Sequence, residues 1–241
     1  MKVLVACEES QRVCTAFRER GHEAYSCDIQ EPSGGHPDWH ILGDVLEVLN
    51  PKFYKDIHGF VEFGIQFDTM DDVQHIVKRW DLIIAHPPCT YLSNAGARWL
   101  YEGHKLNEAR YVKGLEAKEF FMKFWDADCP RICIENPIPS SVYQIPKCSQ
   151  LIQPYEYGHP WSKKTCLWLK GLPLLKPTEI ISDYKPFCSS GSYSKTHDSK
   201  YKGASRKGGS AKSRSKTFEG IAKAMASQWS EAMAEQWGDT Q

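Results

Sequence analysis

Two strand-like runs on either side of a helical segment, all within the first 28 residues, constrain the fold of this chain most. Residues 2–7 and 23–28 are short and rich in apolar side chains, which predicts two strands. Residues 10–20 have helical spacing and are followed by Gly21, a residue typical of helix ends. A strand–helix–strand unit in one sheet is parallel and right-handed, so the chain opens as an α/β protein.

The same alternation continues along the chain. Strands are expected at residues 81–85 and 131–134, with a helix over 106–125 between them. Residues 51–79 look like an insertion with its own helix over 71–79. The pattern predicts an α/β fold with a doubly wound, mostly parallel, Rossmann-like sheet and a small irregular lobe.

Three regions are expected. Residues 1–138 form a cofactor-binding and catalytic domain, residues 139–213 a small lobe for target recognition, and residues 214–241 a closing helix that returns to the catalytic domain. A basic loop over 188–216 has eight Lys or Arg residues and one acidic residue. Such a run is usually a solvated linker, but its tyrosines offer stacking faces that favour nucleic acid.

The composition excludes several classes of protein. The 30 basic and 30 acidic residues cancel, so net charge indicates no partner. No apolar run is long enough to span a membrane, and the start resembles no secretory signal, so we expect a cytoplasmic protein. The nine cysteines lack paired spacing, which argues against a disulfide framework and a zinc site.

A cysteine follows two prolines directly after the strand predicted over 81–85, in the run His86-Pro87-Pro88-Cys89. Proline cannot donate to a sheet ladder, so the strand must end there. The carboxyl ends of parallel strands are where ligands bind, which makes Cys89 a candidate nucleophile. The alternative is a buried structural cysteine.

A carboxylate stands in the corresponding place after the strand at 131–134, where we expect the chain to stop at Glu135-Asn136-Pro137. A thiol and a carboxyl group beside one pocket suit a particular chemistry. The thiolate adds to C6 of a pyrimidine, the protonated carboxyl donates to N3, and C5 becomes nucleophilic. Each motif by itself is weak evidence for this chemistry, and the two motifs in this order along the chain are stronger evidence.

These motifs resemble those of the DNA cytosine-5 methyltransferases, and most closely the compact phage and prophage proteins of that superfamily. The similarity lies in the opening Val5-Ala6-Cys7-Glu8-Glu9-Ser10, in the run from Ala85 to Leu92, in Glu135-Asn136, and in the run from Ser162 to Leu169. It leaves out the insertion and the basic loop.

The resemblance implies S-adenosylmethionine as methyl donor, cytosine in DNA as acceptor, and a bacterial or phage-infected cell as the setting. Cys89 would be the nucleophile and Glu135 the acid that orients the base, with Asn136 bracing the Cys89 loop. The expected cofactor-binding residues are Cys7, Glu8, Ser10, Asp28, Asp44, Pro87 and Gly220. The expected DNA-binding residues are Lys163, Lys164, Lys195, Lys202 and Arg206.

Three departures from the family pattern stand out. The first loop, Cys7-Glu8-Glu9-Ser10-Gln11, has no glycine where the family has a Phe-x-Gly-x-Gly pattern, so its approach to a cofactor must differ. Pro137 replaces a valine. Lysines at 163 and 164 replace arginines, which loses bidentate geometry.

Other interpretations stay open. Asp28 and Asp44 also suit plain turns, and Lys163 and Lys164 a solvated edge. The methyl acceptor could be an exocyclic amine or a free nucleotide, or the chain could be a DNA-binding protein without activity. We expect a monomer with no membrane association and no bound metal.

Overall fold

The computed structural model describes residues 1–56, 58–97, 99–187 and 215–238, and the side chains of its last helix as far as residue 235. Its helices are α1 (Arg12–Arg18), α2 (Asn94–Ala97), α3 (Glu108–Trp125) and α4 (Glu219–Gly238). Its strands are β1 (Lys2–Ala6), β2 (Glu23–Asp28), β3 (His40–Leu42), β4 (Lys52–Lys55), β5 (Val61–Asp68), β6 (Gln74–Val77), β7 (Leu82–Ala85), β8 (Tyr101–Glu102), β9 (Lys105–Leu106), β10 (Ile132–Pro137), β11 (Gln150–Ile152), β12 (Trp161–Ser162), β13 (Thr165–Lys170) and β14 (Lys185–Pro186).

Seven strands form the central sheet in the order β11-β13-β10-β7-β1-β2-β3. The pairs β1–β2, β2–β3, β1–β7 and β7–β10 are parallel, whereas β11 and β13 are antiparallel. The predicted α/β class with a mostly parallel central sheet is therefore confirmed, and this sheet is compatible with a Rossmann-like fold. The strand–helix–strand opening is also confirmed, with β2 at the predicted bounds.

The chain divides into two compact units. The first contains residues 1–87, 119–135 and 168–173, and the second contains residues 88–118, 136–167 and 174–241. In the first unit, the ring of Phe121 in α3 meets Trp168 of β13 edge-on, with centroids 5.0 Å apart. In the second, Tyr111 of α3 stacks on Tyr143 with centroids 6.0 Å apart.

The predicted helix over residues 71–79 is wrong. The insertion instead forms the antiparallel sheet β4-β5-β6, in which Ile65 pairs with Val77. Asp72 turns the chain between β5 and β6 with φ 62°, and Thr69 closes this turn through its N–H, which donates to the carbonyl of Val73. The run Gln74–Val77, which ends in two β-branched residues, forms a strand once β5 offers it a partner, and a local pattern cannot reveal that partner.

Strand β10 ends later than the sequence predicts. Its pairing with β7 stops at Ile134, opposite Ala85, but the strand continues to Pro137. Pro137 lies beyond the last residue that pairs with β7, so it removes no hydrogen bond from that ladder. Strand β7, by contrast, ends before the two prolines, as predicted.

The basic loop lies outside the described residues, except for Ser215 and Lys216. None of the helices over the described residues combines the length and the apolar character needed to cross a membrane.

Gly114 permits close packing of α3 in the second unit. A Cβ atom at this position would overlap the ring of Tyr143, a residue that is 2 % exposed. We expect Gly114→Ala to lower the free energy of unfolding by about 1–2 kcal/mol, because overpacking outweighs the gain in helix propensity. The matched control is Gly43→Ala, where a Cβ meets nothing within 4 Å. Urea denaturation measures both, and equal midpoints would contradict the prediction.

His40 of β3 is fully buried and held in its neutral form. Its ring contacts the hydroxyl of Ser26 at 2.8 Å and the carbonyl of Gln30 at 3.0 Å. Burial lowers the pKa of His40, although the Gln30 carbonyl opposes the shift.

This lowered pKa predicts acid sensitivity. When the pH falls below about 6.5, the ordinary pKa of histidine, His40 becomes protonated in the unfolded chain but stays neutral in the folded chain. The free energy of unfolding therefore falls as the pH falls. We expect urea denaturation between pH 7 and pH 5 to show this loss, and His40→Gln to reduce it. A variant with the same pH dependence as the wild type would rule out His40 as the cause.

Candidate active site

His86 and Glu135 meet in the first unit, at the carboxyl ends of β7 and β10. The register that pairs Ala85 with Ile134 places the next residue of each strand side by side. His86 Nδ1 lies 2.9 Å from Glu135 Oε2, and each side chain is only 10 % exposed. The N–H of His86 donates to the carbonyl of Ala6 at 2.9 Å, which holds its backbone against β1. This is a buried histidine–carboxyl pair at the edge where β7 ends, and in parallel sheets ligands commonly bind at the carboxyl ends of the strands.

Glu8 lies in the loop after β1 and is 4 % exposed. Its carboxylate accepts hydrogen bonds from the N–H groups of Val13 at 2.7 Å and Cys14 at 3.1 Å, in the first turn of α1. Burial raises the pKa of Glu8, whereas His86, the two N–H groups and Ser10 oppose that rise. The carboxylate therefore satisfies helix donors that would otherwise need a conventional cap.

The first loop reaches a glycine-like shape without glycine. Cys7 and Gln11 have φ values of 59° and 56°, in the left-handed region that glycine adopts freely. Gln11 is fully buried, and its amide donates to the carbonyl of His36 at 2.8 Å and accepts from its N–H at 3.1 Å. These bonds favour the strained backbone and tie the loop to the segment after β2.

Cys7, Asp28 and Asp44 gather where β1 and β2 end. Burial raises the pKa of the Cys7 thiol, and the negative charges of Asp28 and Asp44 raise it further. The Cys7 thiol therefore favours its neutral form.

Both carboxylates also close local turns. Asp28 accepts from the N–H of Gln30 at 2.9 Å, and Asp44 accepts from the N–H of Leu46 at 3.0 Å. Asp28 is half-buried and Asp44 is exposed. In each aspartate one carboxylate oxygen closes a turn. The other oxygen can still accept a hydrogen bond from a ligand.

The Cys89 loop belongs to the second unit, where hydrogen bonds hold it to the segment that follows Asn136-Pro137. The N–H of Asn94 donates to the carbonyl of Ile138 at 3.0 Å, and the N–H of Ser140 donates to the carbonyl of Leu92 at 2.7 Å. The carbonyl of Cys89 itself accepts from the N–H of Ser93 at 3.0 Å. Hydrogen bonds at residues 92–94 therefore hold the later part of the loop, and Cys89 is half-buried.

Arg110 of α3 also supports this loop. Its guanidinium donates to the carbonyls of Thr90 at 3.2 Å and Gly96 at 3.0 Å, and lies 5.0 Å from the ring centroid of Tyr91. A Cβ on Gly96 would overlap the Thr90 carbonyl, so glycine allows this close approach.

The remaining predicted residues are dispersed. Asn136 is 3 % exposed, and Pro87 is buried. Lys163 is half-buried, with its ammonium 5.9 Å from the ring centroid of Phe218, whereas Lys164 is exposed. Lys195, Lys202 and Arg206 lie outside the described residues.

Gly220 opens α4 in the second unit. Its N–H donates to His159 Nε2 at 2.9 Å, and a Cβ on it would overlap the carbonyl of Tyr157. The glycine is therefore required for packing at the start of this helix, which is a structural role beside the predicted cofactor contact.

Sequence reasoning assigned no role to His86. The missing information was the pairing of β7 with β10, because this register makes His86 the neighbour of Glu135. The sequence signal that could have suggested a role for His86 was its position directly after a buried strand.

No protein-family model matches this chain, and no curated protein is significantly similar to it. Over the described ranges, no group of three or more His, Cys, Asp or Glu residues is arranged to hold a metal ion.

Removing the Glu8 carboxylate should destabilise the first unit. We expect Glu8→Ala to lower the free energy of unfolding by about 1–3 kcal/mol, because two N–H groups of α1 lose their buried acceptor. Glu19→Ala, at the exposed other end of α1, is the matched control and should change it by less than about 0.5 kcal/mol. Chemical denaturation tests this, and an unchanged midpoint for Glu8→Ala would disprove the capping role.

Proposed function

We propose that this chain is a DNA cytosine-5 methyltransferase that transfers a methyl group from S-adenosylmethionine to C5 of a flipped-out cytosine. The observation that carries the proposal is the parallel pairing of β7 with β10. Cys89 follows the end of β7 by four residues, and Glu135 follows the last paired residue of β10. Neighbouring parallel strands thus lead to a thiol and a carboxyl group, which is the pair that this chemistry needs.

The residues at the ends of β1 and β2 suit the proposed cofactor. A half-buried carboxylate at the end of β2, Asp28, is the group expected to accept hydrogen bonds from ribose hydroxyls. The negative charges of Asp28 and Asp44 lie near the neutral thiol of Cys7. They suit the positively charged sulfonium group of S-adenosylmethionine. The left-handed backbone at Cys7 and Gln11 supports a loop shape that the family obtains with glycine.

The proposed reaction begins when Cys89, as thiolate, bonds to C6 of a cytosine that has left the base stack. Glu135 delivers a proton to N3, so electron density shifts to C5. Bound S-adenosylmethionine supplies the electrophilic methyl group. Loss of the C5 proton to a base, return of the N3 proton and departure of the Cys89 thiolate from C6 then restore the enzyme and release 5-methylcytosine.

Replacing the nucleophile should abolish the reaction. We expect Cys89→Ser to lose at least about a thousandfold in turnover, because a serine hydroxyl remains un-ionised at neutral pH. The measurement is transfer of labelled methyl groups to duplex DNA. Cys148→Ser is the matched control, since Cys148 is also half-buried and lies in the same unit.

Mass spectrometry of the product nucleosides separates the candidate functions. 5-Methylcytosine supports the proposal, whereas N4-methylcytosine or N6-methyladenine would indicate an exocyclic amine as acceptor. Methylation of a mononucleotide but not of duplex DNA would indicate a free nucleotide. Equal rates for Cys89→Ser and the wild type would overturn the covalent mechanism.

A further inference from the structure

We infer that His86 holds the proton that Glu135 delivers to N3 of the base, so that the pair acts as one acid. This inference rests on the proposed function and adds a positioning residue to it. In this scheme Glu135 touches the base, and His86 acts through Glu135.

The geometry suits direct proton transfer. His86 Nδ1 and Glu135 Oε2 are 2.9 Å apart, which is hydrogen-bond distance, and both side chains are 10 % exposed. Glu135 lies within β10, and His86 directly follows β7 with its backbone N–H bonded to the carbonyl of Ala6, so both residues are held by the sheet. Water therefore competes little for the proton between them.

Carboxyl groups lie near His86 on two sides. Glu135 faces it from β10, and Glu8 interacts with it electrostatically from the loop after β1. The two N–H groups of α1 keep the Glu8 carboxylate in place. On β10, burial and the charge of Glu135 raise the pKa of Cys133, so that thiol stays neutral and adds no charge. Carboxylates near an imidazole stabilise the imidazolium, whereas burial opposes it.

The proton balance follows from this arrangement. In the proposed resting state, His86 is protonated and Glu135 is a carboxylate. The proton to be transferred is on Nδ1 of His86, in the hydrogen bond to Oε2 of Glu135. As Cys89 bonds to C6 and N3 becomes basic, Nδ1 of His86 passes its proton to Oε2 of Glu135, and the carboxyl group so formed gives a proton to N3. The result is a protonated N3, a neutral His86 and a carboxylate at Glu135. When the C6–S bond breaks, the N3 proton returns along the same path.

The first test measures the shared proton without any catalysis. We expect NMR titration of ¹⁵N-labelled full chain to show that Glu135→Gln lowers the titration midpoint of His86 by one pH unit or more, because a carboxylate at this distance shifts a partner by about 1–3 units. Glutamine keeps the shape of the side chain and removes its charge. An unchanged midpoint would overturn the inference.

The second test measures the pH dependence of methyl transfer to duplex DNA. In the wild type the rate should fall as the pair loses its proton at rising pH. In His86→Asn the side-chain amide can still donate a hydrogen bond to Glu135 but has no proton that titrates, so only the carboxyl group of Glu135 can hold the proton. A carboxyl group ordinarily titrates about two units below an imidazole. The decrease in rate with rising pH should therefore move to lower pH by at least about one unit. The variant should be at least about tenfold slower than the wild type at pH 8, and the difference should shrink as the pH falls toward the ordinary pKa of a carboxyl group.

The control is His22→Asn, which removes a half-buried histidine from the same unit and should leave the profile unchanged. A profile for His86→Asn parallel to that of the wild type would assign His86 a purely structural role and overturn the inference, with the proposed function intact. A wild type inactive at every pH, despite the NMR shift, would overturn the proposed function and the delivery step with it. Thermal melts of each variant check that the chain is folded.

Discussion

The structure of the first unit depends on β7, which is completely buried and pairs in parallel with β1 on one side and β10 on the other. A strand in this position can contain only apolar residues, so the polar groups of the chain come after it. The prolines at 87 and 88 end it abruptly. The first side chain beyond its end is His86, and the register decides that its neighbour is Glu135. The same hydrogen bonds that form the sheet thus bring His86 and Glu135 together.

The start of α1 and the surroundings of His86 both depend on Glu8, in the loop after β1. Glu8 accepts from the first turn of α1 and interacts with His86, so one carboxylate contributes to both the helix and the candidate site. This explains how a loop without glycine keeps its shape. The strain at Cys7 and Gln11 is offset by hydrogen bonds from buried side chains, as is typical of functional loops in which local preference is overridden.

Much of the fold could be predicted from the sequence because its periodic signals are local. The strands at the start of the chain, the strand before the prolines and the long helix α3 all lie close to their predicted positions. The insertion could not be predicted correctly, because residues 74–77 become a strand only through pairing with β5, and the partner of a strand is not written in its own side chains. The end of β10 was missed for a similar reason, since pairing with β7 stops at Ile134 while the strand continues.

For the candidate site, the sequence by itself determined which groups are available: a cysteine after two prolines, a carboxylate after a buried strand, and aspartates at strand ends. These follow from chain chemistry, because proline stops a strand and a charged side chain avoids the core. Only the tertiary structure decided which of these groups meet. It brought Glu135 and Glu8 to His86, and these contacts join residues far apart in the chain, so no local pattern in the sequence reveals them.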